Sequence, residues 1–80
     1  MQYKTGDLNL AASLLTLGHR FIGVEHDGTV KRFCFDVEEE FEIDVRNFFN
    51  NRLKLPARSL LDNAQVLRTS DQSSVYATPR

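Results

Sequence analysis

The stretch that decides the fold is Arg20–Asp36, RFIGVEHDGTVKRFCFD. Two runs rich in Phe, Ile and Val stand on either side of Asp27-Gly28. An Asp-Gly pair between apolar runs is a strong hairpin signal, because Gly tolerates the positive φ that tight turns require. The stretch is therefore predicted to form one β-hairpin, with helical segments before and after it.

Two registers are compatible with this hairpin. A two-residue turn places Ile22 opposite Phe33. A three-residue turn with a bulge at Gly28 places Phe21 opposite Phe33, and we expect this second register. It puts apolar side chains on both faces of the two strands. One face carries Phe21, Phe33 and Phe35. The other face, a candidate protein interface, carries Ile22, Val24, Val30 and Cys34.

Both faces of such a hairpin need covering, because two isolated strands are only marginally stable in water. A third strand is therefore expected, either from Gln2–Lys4 or from a second copy of the chain. The length of 80 residues is also close to the size at which a single core gives marginal stability. Both arguments favour a homodimer.

The segment before the hairpin predicts a first helix. Its apolar positions at helical spacing are Leu8, Ala11, Ala12 and Leu15. Thr5 is the expected cap of the first turn, Asp7 suits the positive end of the helix dipole, and Gly18 is expected to end the helix. Leu10 and Leu17 widen the apolar face, so we expect the helix to lie between the hairpin and another element or a partner.

Two further helices are predicted after the hairpin. Asp36 has the pattern of a helix N-cap with Glu39 at the third helical position, so the second helix is expected to begin there. Its apolar stripe, expected to face the hairpin, consists of Phe41, Val45, Phe48, Phe49 and Leu53. Pro56 suits the first turn of a third helix, which is expected to end near Arg68 or Thr69. The apolar positions of this third helix are Leu60, Leu61, Ala64 and Leu67.

These segments predict one α+β domain over residues 1–69, a central hairpin with about three helices in the order α-β-β-α-α. Residues 70–80, SDQSSVYATPR, are expected to form a loose polar tail. The single cysteine, Cys34, excludes an intramolecular disulfide. No apolar run approaches the length of a membrane span, and the N-terminus lacks the profile of a secretory signal. We therefore expect a cytoplasmic protein with no membrane partner.

The net charge of −1 hides an uneven distribution along the chain. Acidic residues crowd the segment before and within the second helix: Asp36, Glu38, Glu39, Glu40, Glu42 and Asp44. This run is expected to be the solvated start of a helix rather than a phosphate mimic or a cation site. Basic residues follow it: Arg46, Arg52, Lys54, Arg58 and Arg68. The overall charge does not favour nucleic-acid binding, but the basic half retains it as a local alternative.

A series of short motifs runs through residues 3 to 68: Tyr3-Lys4-Thr5, Asp7-Leu8, Leu10-Ala11-Ala12, Gly18, Phe48-Phe49-Asn50, Arg58-Ser59 and Leu61-Asp62. Together with the Phe-rich hairpin, this series resembles a family of small uncharacterised domains from bacteria and their phages. The resemblance implies a freestanding α+β domain in a bacterial, phage or mobile-element context. The family carries no established activity, so the resemblance adds no site.

No constellation of residues predicts catalysis, a cofactor or a metal. His19 and His26 stand at the two ends of one predicted strand, roughly 20 Å apart, so they cannot share a site within one chain. Cys34 lies in mid-strand between Phe33 and Phe35, as expected of a buried apolar side chain rather than a nucleophile. We therefore expect a protein that is not an enzyme and that has no cofactor and no small-molecule substrate.

Two functions remain as hypotheses. The leading one is a protein-binding accessory module that uses the apolar face of the hairpin. The alternative is a nucleic-acid-binding module that uses the basic turn before the third helix and the positive end of that helix. Its candidate contacts are Arg46, Asn50, Arg52, Lys54 and Arg58.

Overall fold

A computed structural model of the chain describes residues 1–69. Its elements are β1 (Gln2–Thr5), α1 (Leu8–Thr16), β2 (Arg20–Asp27), β3 (Val30–Asp36), α2 (Phe41–Phe49) and α3 (Ala57–Arg68). The strands form one antiparallel sheet in the order β1-β3-β2. The predicted α+β class is confirmed, and the predicted order lacked only the short first strand. The tail expected at 70–80 lies outside the described residues.

The third strand comes from the start of the same chain. β1 includes the predicted segment Gln2–Lys4 and pairs with β3, where Tyr3 lies opposite Phe35 and Thr5 lies opposite Phe33. The N–H of Val37 continues this pairing by donating to the carbonyl of Met1 at 2.8 Å. β3 is therefore the central strand, and the chain itself supplies the third strand of the sheet.

The hairpin turn lies one residue further along than either predicted register requires. Asp27 pairs with Val30, so the turn residues are Gly28 and Thr29, and Phe33 lies opposite Val24. Both predicted registers are therefore wrong. Gly28 has a φ of 68° and takes the first turn position, which is the position that a type II′ turn reserves for Gly. Asp27 is thereby the last residue of a strand and not part of the turn.

A β-bulge in β2 changes which side chains share a face. Gly23 pairs with Cys34 and Phe21 with Phe35, so Ile22 is an extra residue without a partner of its own. Gly23 has a φ of 146°, in a region that is almost restricted to Gly. Because side chains alternate along a strand, Phe21 and Val24 would otherwise point to opposite faces. The extra residue puts both on the side of Phe33 and Phe35.

The helices cover this face of the sheet. Every residue from Leu10 to Leu14 is buried, and burial all round is typical of a helix enclosed by other elements. The expected enclosure of α1 is thus confirmed: it packs between the sheet and the other helices, and Asn63 of α3 donates to the Thr16 hydroxyl at 2.9 Å. The largest fully buried side chains are Phe35, Leu10, Leu14 and Leu67.

Both ends of α1 lie close to their predicted positions, with one correction to the N-cap. Asp7, and not Thr5, is the N-cap: its carboxylate accepts from the N–H of Leu10 at 3.1 Å. The Thr5 hydroxyl oxygen accepts instead from the N–H of Asp7. At the other end, the N–H of Gly18 donates to the carbonyl of Leu15 at 3.1 Å, so the predicted helix end is confirmed.

The start of α2 was predicted four residues too early, since its N-cap is Glu40 and not Asp36. Asp36 is the last residue of β3, where it lies opposite Gln2 on one side and Arg20 on the other. Pairing on both sides holds it in a strand, and this tertiary constraint overrides its preference for capping a helix. α2 begins at Phe41 after a turn. The predicted end of α3 at Arg68 is confirmed.

We expect Gly23→Ala to lower the free energy of unfolding by about 1–3 kcal/mol, because Ala would have to hold a φ that is almost restricted to Gly. Within residues 1–69, no atom beyond the chain neighbours lies within 4 Å of the added Cβ, so a clash would not explain the loss. Urea unfolding followed by circular dichroism measures the change. Gly6→Ala is the control, since Gly6 lacks a positive φ and should show a smaller effect. Equal effects at the two positions would contradict the bulge.

Candidate binding site

The hairpin residues predicted as a protein interface do not form one surface. Val24 lies on the helix-covered face and packs against the core. Cys34 is only 7% exposed, and Ile22 is half-buried. Val30, at 45%, is the one well-exposed side chain of the four. The turn at Gly28-Thr29 causes this division, because the register that it sets pairs Val24 with Phe33, on the face away from Cys34.

The uncovered face of the sheet is polar around Cys34. Lys4 on β1 contacts both carboxylate oxygens of Glu25 on β2, at 3.1 and 3.0 Å. Since β3 lies between these strands, the ion pair spans the middle of the sheet beside Cys34. Burial raises the pKa of the Cys34 thiol, the charge of Glu25 raises it further, and Lys4 opposes them. The thiol is therefore protonated at neutral pH, and Cys34 behaves as a small buried apolar side chain.

His19 forms a close side-chain pair with Asp44. Its Nε2 lies 2.7 Å from the Oδ2 of Asp44, and the contact joins the start of β2 to α2. A carboxylate can orient a His side chain so that it acts as a general base for a nearby nucleophile. The thiol of Cys34 lies on the other face of the sheet, so this pair does not activate it. His26 lies near the far end of β2. Among residues 1–69, no group of three or more His, Cys, Asp or Glu side chains converges to hold a metal.

The predicted nucleic-acid contacts lie along one exposed segment. Arg46 is in the last turn of α2, Arg52 and Lys54 are in the connection to α3, and Arg58 is in the first turn of α3. Asn50, the C-cap of α2, is also exposed. In the described part of the chain, none of the four cations has a carboxylate partner within 4.0 Å. The segment therefore presents unpaired positive charge.

The same segment borders a cleft that the sequence did not predict. We call it the α2–α3 cleft, because it lies where these helices meet the middle of α1, and its volume is about 280 Å³. Most of its walls are apolar, from Phe48, Leu53, Leu55, Ala57 and Leu60. Its polar lining residues are Ser13 and Asn51. The Ser13 hydroxyl donates to the carbonyl of Asn9 at 2.9 Å.

The connection between α2 and α3 arranges apolar and charged side chains in alternation. Leu53 and Leu55 line the α2–α3 cleft and are half-buried, whereas Arg52 and Lys54, which precede each of them, are exposed. Asn51 begins this arrangement with a φ of 59°, a left-handed conformation that Asn tolerates better than most residues. The cleft therefore has an apolar interior and a cationic rim.

One exposed aromatic ring lies beside this segment. Phe49 is 65% exposed and packs edge-on against Phe48, with ring centroids 5.1 Å apart. The sequence placed Phe49 in the stripe facing the hairpin, and the structure corrects this. It lies eight residues after Phe41, which at 3.6 residues per turn carries it about 80° round the helix from that buried ring. Leu61, also predicted as apolar packing, is 68% exposed on α3.

Comparisons with known proteins give the chain no family. No protein-family model, curated protein or solved structure matches it. The resemblance to small bacterial and phage domains therefore stays a prediction, as does the cytoplasmic location. Within residues 1–69 there is no helix of the length and apolar character needed to span a membrane.

The state of Cys34 leads to a kinetic prediction. Because burial and Glu25 raise the pKa of its thiol, we expect the native protein to react with Ellman's reagent at mildly alkaline pH about tenfold or more slowly than the unfolded chain. The rates in buffer and in concentrated urea measure the ratio. A native rate equal to or above the unfolded rate would contradict the buried, protonated thiol and reopen a nucleophilic role.

Proposed function

We propose that this chain is a protein-binding module and that its recognition surface is the α2–α3 cleft, not the hairpin. One observation carries the proposal: an apolar cleft stands open beside cations that have no carboxylate partner within residues 1–69. Binding energy at protein interfaces concentrates where an anchoring side chain fills a pocket that polar residues surround. The α2–α3 cleft has this composition.

The size of the cleft favours a protein partner over a small molecule. Its volume of about 280 Å³ lies just below the range of roughly 300–1,000 Å³ that is usual for ligand pockets. It suits one or two inserted side chains. The walls also lack the convergent polar groups that fix the orientation of a substrate, since the hydroxyl proton of Ser13 is already committed to Asn9. This composition supports a binding role without catalysis.

The predicted homodimer is a weaker part of the proposal. The third strand is supplied by the same chain, which removes the need for a second copy at that edge. The apolar residues that would have formed the dimer face are divided between two faces of the sheet. We therefore propose a different protein as the main partner, in an accessory role in the bacterial or phage setting that the resemblance implies.

Ala57→Phe tests the α2–α3 cleft directly. Ala57 lines the cleft and is exposed at the start of α3, so an added ring fills the cleft while leaving the core intact. We expect capture of a protein partner from nuclease-treated lysate to fall about tenfold or more. Quantitative mass spectrometry of the captured proteins measures the loss, and circular dichroism verifies the fold.

Ser59→Phe is the matched control for this variant. Ser59 is exposed in the same helical turn but does not line the α2–α3 cleft, so its variant should capture the partner as the unmodified protein does. Equal capture by the unmodified protein and by both variants would contradict the cleft as the recognition surface. Loss of all captured protein on nuclease treatment would contradict the protein-binding function itself.

A second candidate function, nucleic-acid binding, is favoured by Phe49. An exposed ring beside unpaired cations is the combination that binds single strands, because bases stack on the ring while phosphates meet the charges. The net charge of −1 and the acidic residues earlier in α2 weigh against it. We therefore place it second.

A salt titration tests this second function. If the four cations contact phosphates, the affinity for a labelled single-stranded oligonucleotide should fall with salt at a logarithmic slope of about −3. Arg52→Glu with Arg58→Glu should abolish binding, and Phe49→Ala should weaken it about tenfold or more without changing the slope. Ile43→Ala, another exposed apolar position on α2, is the control. An affinity that responds to none of these changes would reject the candidate.

A further inference from the structure

The charge around the α2–α3 cleft differs from that of the whole chain. The carboxylate nearest to the rim in sequence is Asp62, one helical turn after Arg58, yet the two side chains do not form an ion pair. The other nearby carboxylates, Glu42 and Asp44, lie in the first turn of α2, at the end of that helix away from the cleft. The rim is therefore positive although the chain carries a net charge of −1.

The start of α3 adds to this positive field. Its N-cap is Pro56, which forms no side-chain cap hydrogen bond, so the first N–H groups of the helix lack a side-chain acceptor. The helix dipole places partial positive charge at this end. Ala57, in the same turn, lines the α2–α3 cleft. The dipole thus reinforces Arg58 and Lys54 at the border of the cleft.

Resting on the proposed function, we propose that the occupant of the α2–α3 cleft is an acidic segment of a partner protein that inserts one large apolar side chain. The apolar walls at Leu53, Leu55 and Leu60 receive this anchor. Carboxylates on either side of the anchor meet Arg52 and Lys54, which alternate with the lining residues. Charge complementarity steers such a segment to the rim, and burial of the anchor holds it.

An acidic protein segment fits the α2–α3 cleft better than two other candidates, a nucleic acid and a second copy of this chain. A nucleic acid would place its phosphates on the cations and a base on Phe49, outside the cleft, because the polar edges of a base inserted between the apolar walls would lose their hydrogen bonds with water. A second copy of this chain does carry carboxylates around an exposed Ile43 at the start of α2. That contact would form twice in a symmetric dimer, or once per copy in a head-to-tail ring or open chain. Ile43 is fixed on a folded helix, so a second copy must fit the cleft as a rigid body, whereas an extended segment of another protein adjusts its backbone to the opening.

A peptide selection tests the proposal without assuming a sequence. A display library of random twelve-residue peptides is selected on the full chain at low salt, after depletion on the Ala57→Phe variant. We expect the enriched peptides to carry net negative charge and at least one large aliphatic or aromatic residue. Their affinity should fall about tenfold or more when Arg52 and Lys54 are both changed to Gln. The same double change at Arg20 and Arg68, exposed cations away from the cleft, should leave the affinity unchanged.

The other outcomes are distinguishable from one another. Enriched peptides that are neutral or basic, or that bind the two double variants equally, overturn the acidic partner but leave the cleft as a protein-binding site. A selection with no enrichment also overturns the proposal, and capture by the Ala57→Phe variant then decides the proposed function separately. Self-association in sedimentation that Ala57→Phe abolishes would assign the cleft to a second copy and overturn it as well.

Discussion

The rest of the structure depends on one extra residue in an edge strand. Ile22 interrupts the alternation of β2, so that Phe21 and Val24 join Phe33 and Phe35 on a single face. A sheet with one apolar face needs helices on one side only, and α1 packs there with all of its middle residues buried. The bulge thus converts a hairpin with two apolar faces into one wall of a single core.

The same constraint decides where a partner can bind. With Val24 on the helix side and the Lys4–Glu25 ion pair beside Cys34, the uncovered face of the sheet retains little apolar surface. An open cleft with apolar walls lies instead where the connection between α2 and α3 passes the middle of α1. There, Leu53 and Leu55 are only half-buried, and the neighbouring Arg52 and Lys54 have no carboxylate partners among the described residues. Within residues 1–69, the α2–α3 cleft and its rim therefore bring apolar walls and cations without carboxylate partners together.

Local signals in the sequence predicted the helices and strands better than they predicted how these elements pair and pack. Asp27-Gly28 located the hairpin and Pro56 the start of α3, because these residues restrict their own backbone. Asp36 was misread as a helix cap because its partners Gln2 and Arg20 are distant in sequence. Exposure of the basic residues was predictable from their charge, whereas the cleft and the exposed ring of Phe49 arise from how three helices pack. A Gly in mid-strand, Gly23, was the available signal for the bulge.

The most direct test of this account is a nuclear magnetic resonance measurement of the contacts between β2 and β3. We expect cross-strand Overhauser contacts between backbone protons of Val24 and Phe33 and between those of Phe21 and Phe35, with Ile22 lacking a partner of its own. Contacts of Ile22 with Phe33, or of Phe21 with Phe33, would instead establish a regular register without the bulge. The first result would move Phe21, and the second would move Val24, to the face of Cys34, and either would contradict the account.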